Sequence, residues 1–256
     1  MNVHTVVRAG AVTIQVAVYG EGETVVLLPG NGRGTEDFDD LSQRLVRAGY
    51  RAVLPQPRGI GGSVDPLDGL TLHDLGTDVA TVITAVGGAP VTIVGHAFGN
   101  RIARVVATDH PTLVQQVILV AAGGMIPPSP ETQEAIRRAS ETGLAREERL
   151  AALRRAYFAT GNDPGPWESG WHIPVSNAQR AANSATPVQA WWAGGSAPML
   201  VLQGAEDASA PPENARRLLE AYGARITVVE IPGAGHAMLP EQPERIASEI
   251  LRYLQR

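Results

Sequence analysis

Val91-Thr92-Ile93-Val94-Gly95-His96-Ala97-Phe98-Gly99 is the stretch on which the fold turns. Its first four residues are all β-branched, which predicts a strand buried on both faces. A helix is expected over about residues 98–110, so the chain has to reverse sharply between Gly95 and Gly99. Two glycines allow that bend while the central side chain projects over the sheet edge and the following amide faces a developing oxyanion. This is the context of the G-x-S-x-G nucleophile elbow. Here the central residue is Ala97, which has no hydroxyl.

Strand and helix patterns alternate outward from that bend. Residues 3–7 and 12–19, the second alternating Val12, Ile14, Val16 and Val18, predict an antiparallel hairpin at a sheet edge, joined through Arg8-Ala9-Gly10-Ala11. Val25-Val26-Leu27-Leu28 predicts a buried strand, 37–48 a helix and 50–54 a strand. Leu72, Leu75, Val79, Val82, Ile83 and Val86 recur at helical spacing behind a Thr71-x-x-Asp74 capping box. Strands are expected again at 117–120, 199–202 and 226–231. The fold class is therefore α/β, a mainly parallel sheet flanked by helices on both faces.

Between the strands at 117–120 and 199–202 the alternation stops. That stretch holds helical segments at 131–140 and 146–158, all four tryptophans, and a proline-rich entrance at Ile126-Pro127-Pro128-Ser129-Pro130. It is too long for a plain loop. The expected organisation is a core domain of residues 1–122 and 196–256, with a helical cap at 123–195 inserted after the sixth strand.

Composition narrows the function classes. A chain of 256 residues with 44% hydrophobic content suits one α/β domain with insertions. A net charge of -5 with dispersed Lys and Arg offers no basic stripe for nucleic acid and no polybasic membrane anchor. With no cysteine, disulfides, thiolate catalysis and Cys-ligated metals are excluded, and no metal or cofactor is expected. Met1-Asn2-Val3-His4 lacks a charged region followed by an apolar run, and no segment is apolar for long enough to span a bilayer. The expectation is a cytoplasmic protein whose partner is a small-molecule substrate.

Several further motifs fall in a fixed order around the bend. Leu27-Leu28-Pro29-Gly30-Asn31-Gly32 and Arg58-Gly59-Ile60-Gly61-Gly62-Ser63 precede it. Leu202-Gln203-Gly204-Ala205-Glu206-Asp207 follows, and then Ile231-Pro232-Gly233-Ala234-Gly235-His236 with Glu241-Gln242-Pro243. Together these motifs resemble those of the α/β-hydrolase family, of the bacterial esterase and lactonase kind, over nearly the whole chain apart from the variable cap. The order elbow, acid, histidine matches that family.

The resemblance implies a catalytic triad with Ala97 at the nucleophile position, His236 as general base and Asp207 as the carboxylate orienting its ring. It implies an oxyanion hole from the amides of Asn31 and Phe98. Imidazole titrates near neutral pH, and a fixed acceptor on one nitrogen holds one tautomer and stabilises the imidazolium. Glu206 is the competing acid, and Asp207 can alternatively cap the helix that follows. Arg58 and Ser63 fit a loop-bracing role. Trp191, Trp192 and His172 are the candidates for a substrate pocket, against the plainer reading that they hold the cap together.

Three positions depart from the family pattern: Ala97, Pro29 where many relatives have His, and Gln56 where many have Asp. Only the first removes chemistry, since losing the serine costs on the order of a million-fold in turnover. Three functions stay open. The chain is a hydrolase of a small ester, lactone or related acyl compound seen as an inactive Ser-to-Ala variant. Or it is a native nucleophile-free enzyme using a His236/Asp207 dyad as base, as a lyase, a cofactor-independent oxygenase or a water-activating hydrolase. Or it is a non-catalytic binding protein.

Overall fold

The computed structural model describes residues 2–9, 12–64 and 66–256; the Gly10-Ala11 link of the expected hairpin lies outside them. Strands β1 (Asn2–Ala9) and β2 (Val12–Tyr19) pair antiparallel through all eight positions. They are followed by β3 (Thr24–Leu28), β4 (Arg51–Pro55), β5 (Val91–His96), β6 (Val114–Val120), β7 (Met199–Gly204) and β8 (Ile226–Ile231). The sheet order is β1-β2-β4-β3-β5-β6-β7-β8, with every pairing from β4 to β8 parallel. Each parallel step needs a crossover, which the intervening helices supply.

Burial explains the continuous apolar runs. In β5 and β6, Ile93, Val117 and Leu119 face one core, while Val94, Ile118 and Val120 face the other. Helices α1 (Asp39–Arg47) and α9 (Pro243–Leu254), the latter preceded by the short α8 (Met238–Glu241), close the second core with Leu41, Leu45, Ile246 and Ile250. On the opposite face α2 (Leu72–Val86), α3 (Phe98–Asp109) and α7 (Glu213–Tyr222) close the first. The capping box of α2 is present: Asp74 N donates to Thr71 Oγ1 and Thr71 N to the Asp74 carboxylate, at 3.3 and 2.8 Å. Among the described residues no helix is long and apolar enough to cross a membrane.

The stretch between β6 and β7 contains α4 (Pro130–Ala139), α5 (Arg146–Tyr157) and α6 (Ile173–Ala185). The first two match the expected helical segments to within a residue. Helix α6 is an addition, and its inward face is the reason the sequence hides it. That face presents Val175, Ser176, Gln179 and Ala182, so most of its packing positions are polar or small and carry no apolar period. The helix expected from residue 37 begins instead as a 3₁₀ turn at Thr35–Phe38 that passes into α1. Both glycines of the bend are fixed by close approach: a Cβ on Gly99 would collide with the Leu28 carbonyl oxygen, and one on Gly95 with the Gly99 oxygen. Backbone cannot swing aside as a flexible side chain can, so neither position admits even alanine without displacing β3 or α3.

Candidate active site

Ala97 sits at the tip of the β5–α3 bend with φ 49° and ψ -107°. A positive φ is rare outside glycine and costs about 1–3 kcal/mol. Its amide donates to Val120 O of the neighbouring strand at 2.9 Å, holding the strained residue in place. Phe98 is the first residue of α3, so its amide belongs to the helix end whose donors lack intrahelical acceptors. Asn31, in the loop after β3, reaches the same cavity as Ala97 and Phe98. Its side chain is held by α6: the amide donates to Ser176 O and to Gln179 Oε1, each at 3.1 Å.

His236 follows β8. Its backbone amide and that of Ala237 both donate to Tyr157 O, at 2.7 and 2.8 Å, tying this loop to the end of α5. The ring Nδ1 lies 2.9 Å from Asp207 Oδ2 and 3.1 Å from Oδ1. Asp207 is buried, and it also accepts from Ala210 N at 2.7 Å and Gln203 Nε2 at 3.2 Å. A carboxylate against Nδ1 places the proton there and leaves Nε2 as the free acceptor. Glu206 is exposed and accepts from Thr160 N instead, which separates the two competing acids. Asp207 does not cap α7, whose N-cap is Pro212.

Glu241, quoted in the sequence only as part of a motif, braces the histidine loop. It accepts from Gly235 N, Ala159 N and Asn162 Nδ2 at 2.6 to 2.8 Å. Burial raises its pKa despite these hydrogen bonds. Gln56 and Ser63 have structural work as well: Gln56 Oε1 accepts from Thr35 N at 2.8 Å, and Ser63 Oγ donates to Gln56 O at 2.8 Å. Arg58 forms a two-pronged ion pair with Asp78.

His96 lies under this arrangement, fully buried, its Nε2 2.9 Å from His236 O. The carbonyl can only accept, so the proton resides on Nε2. Burial first, and the neighbouring His236 ring second, push the His96 pKa down to about 4. The folded protein thus excludes a proton that the unfolded chain takes up below about pH 6.5. Stability is expected to fall as pH drops from about 6.5 to 4, by on the order of 3 kcal/mol in all. In His96→Gln, whose amide can still donate, urea midpoints between pH 7 and 4 should show a flatter acid slope. An unchanged slope would locate the acid sensitivity elsewhere.

A cavity of about 750 Å³ lies above Ala97, and His236, Asn31 and Phe98 also face it. Trp191 lines it, whereas Trp192 and His172 do not. Trp192 packs edge-on against Trp191, and the Arg104 guanidinium lies against both rings, 4.5 Å from the Trp191 centroid and 4.8 Å from that of Trp192. His172 contributes through its backbone, donating to Gly32 O at 2.8 Å. The aromatic wall comes instead from Tyr157, Trp167 and Trp171, whose rings contact one another with centroids 5.2 to 5.8 Å apart. Tyr157 is buried deeply enough that its pKa is pushed up to about 12. No periodic signal marks this wall, because Trp167 ends a 3₁₀ turn and Trp171 lies in irregular chain after it.

A carboxylate-held imidazole and a strained strand-to-helix bend, both facing one cavity at the carboxyl ends of parallel strands, define an α/β protein of the doubly covered type with an enzyme-like site. The chain belongs to the alpha/beta hydrolase family, whose model matches residues 25–249. It is similar to BpoC of Mycobacterium tuberculosis, described as a non-heme bromoperoxidase, at 26% identity over 91% of this chain and 94% of that protein. The crystal structure of BpoC superposes with a TM-score of 0.81, covering 94% of this chain and 95% of its own. A non-heme chloroperoxidase of Streptomyces lividans is 24% identical over 91% of this chain and 92% of its own. An esterase from Exiguobacterium antarcticum shares the fold at 22% identity, with a TM-score of 0.82 and coverage of 98% and 99%.

Proposed function

We propose that the protein cleaves a small ester, lactone or related acyl compound, with His236 activating water directly. The observation that carries this reading is the Asp207–His236 pair, a buried carboxylate fixing an imidazole beside a cavity in which residue 97 offers no nucleophile. Water attacks the carbonyl carbon as its proton passes to His236 Nε2. The resulting oxyanion is held by the amides of Phe98 and Asn31, and the leaving alkoxide then recovers the proton from Nε2. Helices α4 to α6 act as the cap that limits water access to the cavity. A pure receptor would have no need of an aligned base.

General-base help of this kind is worth about 10²–10⁴-fold, so turnover should be measurable and slow. Incubation with a panel of nitrophenyl esters and lactones should give hydrolysis while the intact mass of the protein stays unchanged. A covalent acyl adduct on the protein during turnover, or no turnover across the panel, would defeat the reading. A second reading has one observation in its favour. The bend keeps a backbone strain at Ala97 that a methyl group does not use, which fits a site shaped for serine.

A further inference from the structure

The charge of the cavity is unbalanced. Arg33, Arg101 and Arg180 line it, and no Asp or Glu does among the described residues. Arg33 is already satisfied, donating to both oxygens of Asp37 and to Ser169 O. Arg180 is exposed and reaches Ser140 Oγ at 3.4 Å. Asp207 is committed to His236, Gln203 and Ala210.

Arg101 is different. It is half-buried, and among the described residues it makes no hydrogen bond and no ion pair. Its guanidinium lies against Trp191, 5.6 Å from the ring centroid, and its Nη2 would be 3.9 Å from a Cβ on Gly123. Behind it Arg104 is fully buried and bonded only to neutral oxygens of Asn100 and Gly123. This second cation adds positive potential and neutralises nothing. Burial pushes the Arg101 pKa down to about 10, which still leaves it charged at neutral pH. A partly desolvated cation without a counter-ion is costly, and an anionic ligand would offset that cost.

Position gives the ligand its shape. Arg101 stands four residues after Ala97, just over one helical turn along α3, or about 6 Å of rise. The guanidinium fork matches a carboxylate through two parallel hydrogen bonds. We propose that Arg101 binds a carboxylate carried by the substrate a few bonds from the scissile acyl group. The substrate class is then half-esters of short dicarboxylic acids, or lactones bearing a carboxyl group. The assignment of cleavage rests on the function proposed above; the anion site itself does not.

Calorimetry with succinate and glutarate, which contain nothing to cleave, tests the site apart from the chemistry. The wild-type protein and His236→Ala should both bind one of these dianions, and Arg101→Met should bind it roughly 10- to 100-fold more weakly. Arg101→Lys should recover part of the loss, and melting curves should show that each variant is folded. With monoethyl and diethyl glutarate as paired substrates, Arg101→Met should lower the preference for the monoester mainly through KM. Equal binding by wild type and Arg101→Met, or no binding by wild type, overturns the proposal. Inorganic phosphate binding as tightly as the dicarboxylates overturns the carboxylate assignment. If Arg101-dependent binding appears but no ester is cleaved, the hydrolytic reading fails and the anion site stands.

Discussion

Ala97→Ser is expected to raise ester turnover by up to about a million-fold and to make the protein reactive toward a fluorophosphonate at residue 97. The backbone needs no change. The bend already holds the central residue at φ 49°, and Gly95 and Gly99 already allow the close approach of α3 to β3. A hydroxyl added to the Ala97 methyl faces the same cavity as His236, whose Nε2 is left as acceptor by the Nδ1 contact with Asp207. A serine there has base, orienting acid and oxyanion donors in the order a triad requires. Burst kinetics with a nitrophenyl ester would report the acyl-enzyme. A folded Ala97→Ser protein with neither labelling nor a burst would mean that the imidazole and the bend are not in register. The serine reading would then be dropped, leaving the water-activating one to stand on the activity of the chain itself.

The fold was legible because its signals are local and repeated. Val91 to Val94 and Val117 to Val120 are apolar or β-branched throughout because both faces of these strands are covered, and β2 alternates because one of its faces is buried in the core while the other is only partly covered. The bend was legible because glycine is the residue that tolerates a backbone oxygen where a Cβ would otherwise stand. What escaped was held by polarity or by orientation. Helix α6 turns Ser176 and Gln179 inward to hold the Asn31 loop, so hydrophobic periodicity passes over it. Trp191 and Trp192 are adjacent in sequence and both pack on the Arg104 guanidinium, at 4.5 and 4.8 Å from the ring centroids, yet only Trp191 also lines the cavity, a difference of orientation that adjacency in sequence does not reveal. Arg101 had no signal except its spacing from Ala97, since an arginine on a helix reads as solvated until its surroundings are known.

Asp207→Asn should cost about 10⁴-fold in turnover in the Ala97→Ser background, and in the Ala97 protein no more than the roughly 10²–10⁴-fold that the base supplies, while leaving the fold intact, and His236→Ala should abolish the base altogether. The first change preserves shape. The new amide's oxygen can still accept from Ala210 N, but its nitrogen, at the Oδ2 position, would lose the hydrogen bond from Gln203 Nε2 and donate toward His236 Nδ1. A donor there forces the ring proton onto Nε2, the nitrogen that has to accept from water or serine. The imidazole stays in place and loses its function, so melting temperature and ligand binding should change far less than kcat. His236→Ala removes the ring but leaves the loop anchored, because its backbone hydrogen bond to Tyr157 O and the Glu241 brace do not use the side chain. Running both variants in the Ala97 protein and in the Ala97→Ser background separates the two chemistries. If His236 serves both, each variant should depress turnover in each background. If activity in the Ala97 protein survived His236→Ala, no proton transfer through this ring would be required, and the water-activating mechanism would be wrong even with a working triad in the Ala97→Ser protein.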